Sequence, residues 1–157
     1  VQDIFLTETA TYADVIFPAS AWPEKNGTVT NTNRQVQMGR KAVNAPGLAK
    51  EDWWITNELG KRLGLGWKYL HPKDIFIEMA QAMPSLKNIT WDRLDKENSV
   101  TYPCNSPNSK GEEIVFGEGF PTSDGKGRFV FAKVTSPNEM PDSSFPLILT
   151  TGRQLEH

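Results

Sequence analysis

The sequence predicts an α/β fold in which short strands form a parallel sheet and amphipathic helices follow them. Three observations carry that expectation. Two short apolar runs, Ile4, Phe5 and Leu6, then Val15, Ile16 and Phe17, flank a polar stretch long enough for one or two helical turns, which reads as strand, crossover, strand. From Asp52 the apolar positions Trp53, Ile55, Leu59 and Leu63 recur at helical spacing. Glu51 and Asp52 stand at the start of that segment and Lys61 and Arg62 in its last turns, where the helix dipole favours each sign. Pro72 then suits the first turn of a second helix through Ile75, Phe76, Met79 and Met83, closed by Pro84.

The remaining elements follow in order. Pro18 lacks a backbone donor and is expected to end the second strand, and Asn26-Gly27 predicts a tight turn with positive φ before one alternating strand over 28–36. Pro46-Gly47 marks a turn, Gly64 a helix stop, and Thr90 the start of a shorter third helix. The polar stretch 97–111, with Pro103 and Pro107, reads as a long surface loop. Residues 123–127, SDGKG, read as a turn joining two strands; in the second, 128–134, Phe129 and Phe131 point to one face. Residues 135–144, with Pro137, Asn138, Pro141 and Asp142, have linker composition, and 145–150 resume as an apolar strand.

Composition sets outer bounds. The 157 residues could hold one domain with a modest core, and 11 prolines with 12 glycines imply many loops. A formal charge of −2 with scattered basic residues gives no footprint for nucleic acid or an anionic membrane surface. No apolar run reaches membrane-span length and no charged-then-apolar leader opens the chain, so it reads as soluble. The single cysteine, Cys104, permits no internal disulfide and fits a reducing, cytoplasmic setting. Val1 is not a methionine, and the opening Val-Gln-Asp reads as the tail of a strand, so the chain is expected to be a piece of a longer polypeptide.

Ligands of open α/β sheets collect beyond the carboxyl ends of parallel strands, often beside an acidic residue, which makes Asp3 and Glu8 candidates. Spacing alone leaves both as solvated turn residues.

Longer strings narrow the reading. QDIFLTETATYADVIFPAS, WPEKNGTVTNTNRQVQ and APGLAKEDWWITNELGKRLG, followed by the Tyr-Pro-Cys motif at 102–104, GEGFPT at 117–122, Asp124-Gly125-Lys126 and the segment 147–157, resemble in order the catalytic alpha subunit of molybdopterin oxidoreductases, formate dehydrogenase above all. The resemblance implies a fragment comprising the end of a Rossmann-like parallel-sheet domain with a helical and hairpin extension over 1–134, a linker over 135–144, and the first strand of a C-terminal β-barrel domain over 145–157. It implies a bis-molybdopterin guanine dinucleotide cofactor carrying molybdenum or tungsten, a 4Fe-4S cluster, oxidation of formate to carbon dioxide, and electron-transfer subunits as partners. The cluster cysteines and the metal-ligating residue belong upstream in this pattern, so no catalytic or metal-ligating residue is expected here, and Cys104 reads as structural. Nitrate reductase or a respiratory-complex subunit is the nearest alternative. A non-catalytic aromatic-rich binding module is a distant one, suggested by five tryptophans, of which Trp53 reads as core and Trp22 and Trp67 as exposed.

The same resemblance assigns cofactor contacts. Asp52 matches a carboxylate that accepts the two adjacent donors of guanine, N1–H and the N2 amino group; its alternative is a first-turn helix carboxylate. Gln2 and Asp3 match a strand end that meets the nucleoside, against the plainer reading of a strand terminus. Lys25 matches a position near the same nucleotide, suited to phosphate or a base carbonyl; unaided it is a solvated turn lysine. Thr151, Gly152, Arg153, Gln154, Leu155, Glu156 and His157 match a second stretch around pterin and diphosphate, where Gly152 permits close backbone approach and Arg153 offers a donor fork. Leu-Glu-His also begins a common purification tag, but the resembled pattern continues with the same three residues.

Overall fold

The computed structural model describes residues 1–150 and 152. The chain divides into two compact units, Val1–Val115 and Phe116–His157.

In the first unit, β1 (Gln2–Asp3) and β2 (Phe17–Pro18) pair in parallel, Gln2 opposite Phe17 and Asp3 opposite Pro18, with a 3-10 turn at Thr9–Tyr12 between them. The expected strand, crossover, strand is present, but each strand is two residues long and displaced. Ile4, Phe5 and Leu6 lie beyond β1 and are exposed. The cause is local: the Asp3 carboxylate accepts from the Ile4 amide at 2.6 Å, and this side-chain bond replaces the next step of the ladder. Pro18 ends β2 as expected, and an isolated bridge follows it. The Pro18 carbonyl accepts from the Lys50 amide at 3.0 Å and the Ser20 amide donates back to Lys50 at 2.9 Å, which makes this parallel bridge from Ala19 to Lys50. The missing Pro18 donor costs nothing here, because only its carbonyl is used.

A second, antiparallel sheet has the order β3 (Gly27–Thr30), β4 (Gln35–Gly39), β5 (Ser99–Thr101). The segment 28–36 is therefore a hairpin and not one strand. Asn31 turns it: its side-chain oxygen accepts from the Gln35 amide at 2.9 Å, its carbonyl accepts from the Arg34 amide at 3.0 Å, and Arg34 takes φ 65°. Neither Asn26 nor Gly27 has positive φ, so the expected Asn-Gly turn is corrected; the Asn26 side chain instead accepts from the Lys41 amide at 2.9 Å. Strand β5 lies inside the stretch expected to be loop. It forms because Val100 registers against Val36, and both are buried.

The helices match expectation: α1 (Asp52–Arg62), α2 (Pro72–Ala82) and α3 (Trp91–Glu97). Gly64, at φ 79°, follows the end of α1. His71 caps α2 reciprocally, its ring nitrogen accepting from the Lys73 amide and the Asp74 carboxylate accepting from the His71 amide. Thr90 caps α3 by accepting from the Arg93 amide at 3.1 Å. Val36, Phe76, Leu86, Ile89, Leu94, Val100 and Cys104 form the core between α2, α3 and the antiparallel sheet. Helix α1 departs in detail: it buries Ile55, Asn57 and Gly60, whereas Leu59 and Leu63 are exposed and Trp53 is half-buried. Trp22 is exposed as expected, while Trp67 is half-buried.

The described part of the second unit contains no helix or strand. A turn does form within the predicted region: the Gly125 amide donates to the Thr122 carbonyl at 3.1 Å and the Thr122 hydroxyl to the Lys126 carbonyl at 2.9 Å. The expected strands at 128–134 and 145–150 do not form, and Phe129, Phe131, Leu147 and Leu149 are exposed. An extended apolar segment becomes a strand only when another strand satisfies its amides, and neither segment has such a partner among the described residues. The architecture is mixed α/β, with one parallel and one antiparallel sheet. Among the described residues no helix is long and apolar enough to cross a membrane.

Candidate functional site

Three of the residues singled out in the sequence meet at one carboxylate. Asp52 is the first residue of α1, and its Oδ1 accepts from Gln2 Nε2 at 2.6 Å. Its Oδ2 pairs with the Lys25 ammonium, which also donates to the Ser20 carbonyl at 3.1 Å. These contacts follow from the parallel sheet. The Ala19–Lys50 bridge delivers the chain into α1 beside the end of β2, and Gln2 sits across the ladder in β1. The 3-10 turn Trp22–Glu24, braced by the Glu24 carboxylate accepting from the Ala21 amide at 2.8 Å, brings Lys25 back over Asp52.

Burial opposes ionisation of Asp52, but the hydrogen bonds from Lys25 and Gln2 and the lysine charge outweigh it, holding its carboxyl below the ordinary carboxylate range. The N-cap residue Glu51 makes no side-chain cap to α1, and the Asp52 charge suits the helix N-terminus.

Asp3 is placed differently. Its carboxylate is used by the Ile4 and Phe5 amides, and its carbonyl accepts from the Ala19 amide, so it shapes the loop after β1 and does not join Asp52. Glu8 precedes the 3-10 turn, where its carbonyl accepts from the Thr11 hydroxyl at 2.6 Å. Gly152 is exposed, and among the described residues no atom lies within 4 Å of where a Cβ would stand. Thr151, Arg153, Gln154, Leu155, Glu156 and His157 lie outside the described residues.

Sequence reasoning missed the surroundings of the Lys25–Asp52 pair. A cleft of about 270 Å³ lies beside it, walled by Trp53, Phe76, Met79 and Trp91. Ser20 is 1% exposed, with a hydroxyl that lacks a partner among the described residues. Nothing local flags these residues, because the wall comes from three helices and only folding brings them to Lys25. Among the described residues no group of three His, Cys, Asp or Glu side chains could hold a metal ion.

Chemically, the site offers a carboxylate acceptor and an ammonium donor side by side at the mouth of an apolar slot. That suits a flat ligand whose edge presents N–H donors next to a carbonyl.

The family model for molybdopterin oxidoreductases matches residues 1–62, the part that carries Gln2, Lys25 and Asp52. Over its whole length the chain is 46% identical to the F420-dependent formate dehydrogenase subunit alpha of Methanocaldococcus jannaschii, covering 24% of that protein. It is 43% identical to the F420-dependent formate dehydrogenase 2 subunit alpha of Methanococcus maripaludis, covering 23% of it. It is 42% identical to the putative formate dehydrogenase YrhE of Bacillus subtilis, covering 16% of it. The family match is confined to residues 1–62. The chain as a whole is related to formate dehydrogenase alpha subunits and spans a quarter or less of their length.

Proposed function

We propose that this chain is part of the catalytic subunit of a molybdenum- or tungsten-dependent formate dehydrogenase, where it grips the guanine end of a bis-molybdopterin guanine dinucleotide. The observation that carries the reading is the convergence of Gln2 and Lys25 on the Asp52 carboxylate at the mouth of an apolar cleft. The donor set fits a guanine edge: an ionised Asp52 accepts N1–H and the N2 amino group, and Lys25 donates to O6. Two engaged oxygens do not exclude this, since an ionised carboxylate has about four acceptor positions. When bound, the metal-pterin group supplies the two-electron oxidation of formate. The residues of this chain bind and orient it at its nucleotide end.

The wider reading follows the family. Residues 1–134 are proposed as the end of a Rossmann-like cofactor domain with its extension, 135–144 as a linker, and 145–157 as the first strand of a β-barrel domain. In the barrel, Thr151, Gly152, Arg153, Gln154, Leu155, Glu156 and His157 would meet pterin and diphosphate, and the strands at 128–134 and 145–150 would form against parts of a longer polypeptide. Asp3, beside Gln2, is the nucleoside contact of that scheme. A 4Fe-4S cluster upstream, electron-transfer subunits and a cytoplasmic setting complete it; the buried free thiol of Cys104 suits the last.

The test is the complete subunit assayed for formate-dependent dye reduction, with molybdenum, tungsten, iron and pterin measured on the same preparation. Turnover with pterin and one of the two metals is the expected result. Pterin and metal without formate turnover would contradict the substrate, and absence of pterin would contradict the cofactor.

A further inference from the structure

We propose that the indole of Trp53 is the face on which the bound base stacks, and that Glu51 is the positioning residue that fixes it. The proposal rests on the nucleotide reading above and adds to it the side chain that holds the plane of the ring. Trp53 follows Asp52 on α1, and its indole N–H donates to the Glu51 carboxylate one residue before the helix. So held, the ring stands between two clefts: the one beside Lys25 and Asp52, and a second of about 440 Å³ that reaches Asn57, Trp67 and Tyr69.

The other aromatic rings near Asp52 are engaged. Trp91 packs edge-on against Phe76 at 6.1 Å and against His71 at 5.3 Å between ring centres, and Trp54 lies under the Lys50 ammonium at 5.6 Å. Trp53 takes part in no aromatic pair or cation–π contact among the described residues. An apolar slot with a charge pair at its mouth suits a flat π-system with one polar edge, and an indole face is the strongest such platform. Phosphate would gain nothing from this wall.

The complete subunit, prepared free of pterin cofactor, is titrated with GMP while tryptophan emission is followed. Wild type should bind with quenching, Trp53→Leu should bind about tenfold more weakly, and Trp53→Phe should bind within about threefold of wild type while losing most of the quench. Glu51→Ala should weaken binding severalfold at an unchanged unfolding temperature, and Glu51→Gln, whose amide oxygen still accepts from the indole, should restore it. If Trp53→Leu folds and binds GMP as wild type does while Asp52→Asn does not, stacking is wrong and the nucleotide reading stands. Should the Leu variant fail to fold, an unchanged quench in Trp53→Phe overturns the proposal in its place. GMP binding unaffected by Asp52→Asn would remove the nucleotide reading itself.

Discussion

Asp52 shows how three weak signals become one site. Gln2 and Lys25 stand 50 and 27 positions away in sequence, and each alone reads as a strand end or a turn residue. Because its partners depress the Asp52 pKa, the stability from this contact is present above the unfolded value and is lost as pH falls through the lower folded value. The carboxylate is about half exposed, so the contribution is modest; surface pairs of this kind give about 0–1 kcal/mol. Lys25→Met should raise the Asp52 pKa, so that the difference in thermal stability between wild type and this variant is constant near neutrality and shrinks below the ordinary carboxylate range. A difference that grows on acidification would contradict the assignment. The identities of Gln2, Lys25 and Asp52 were legible only through the family resemblance, since composition and periodicity favour a first-turn carboxylate. Their meeting was not legible, nor were Ser20 and the Trp53 wall, because these depend on parallel pairing between segments far apart in the chain.

At the scale of elements, legibility follows length. Helices α1 and α2 declare themselves through periodic apolar positions, and all three helices through end signals such as Thr90, Pro72 and Gly64, all local properties. Strands of two to five residues do not, because a partner decides them: Val100 joins a sheet through Val36, whereas Phe129 and Phe131, with the stronger alternation, find no partner among the described residues. Two variants probe the helices. Thr90→Ala removes the cap of α3, whose Leu94 is fully buried, and should cost about 1 kcal/mol in urea unfolding. Gly60→Ala should also destabilise, although alanine is the better helix former by about 1 kcal/mol. A Cβ there would stand 2.2 Å from the Trp67 ring, and displacing a packed ring costs about 1–3 kcal/mol. A Gly60→Ala chain more stable than wild type, with Trp67 emission unmoved, would show that the ring yields freely.

At the scale of the whole molecule, the proposed activity draws on parts of a longer polypeptide. The chain spans a quarter or less of its relatives' length, and the apolar side chains at 128–134 and 145–150 are exposed. By itself, then, it should show no formate-dependent dye reduction. The most direct test of the central claim compares Asp52→Asn with wild type in the complete subunit, measuring guanine nucleotide released from the extracted cofactor together with metal content and unfolding temperature. The amide keeps the shape but turns one acceptor into a donor facing a donor, a mispairing that costs about 1–3 kcal/mol. A marked loss of guanine nucleotide and metal is expected at unchanged iron content, with the unfolding temperature lowered only by the loss of the bound cofactor and of the surface pair. An Asn variant that retains its full complement of guanine nucleotide would contradict it and leave Asp52 a helix-start carboxylate.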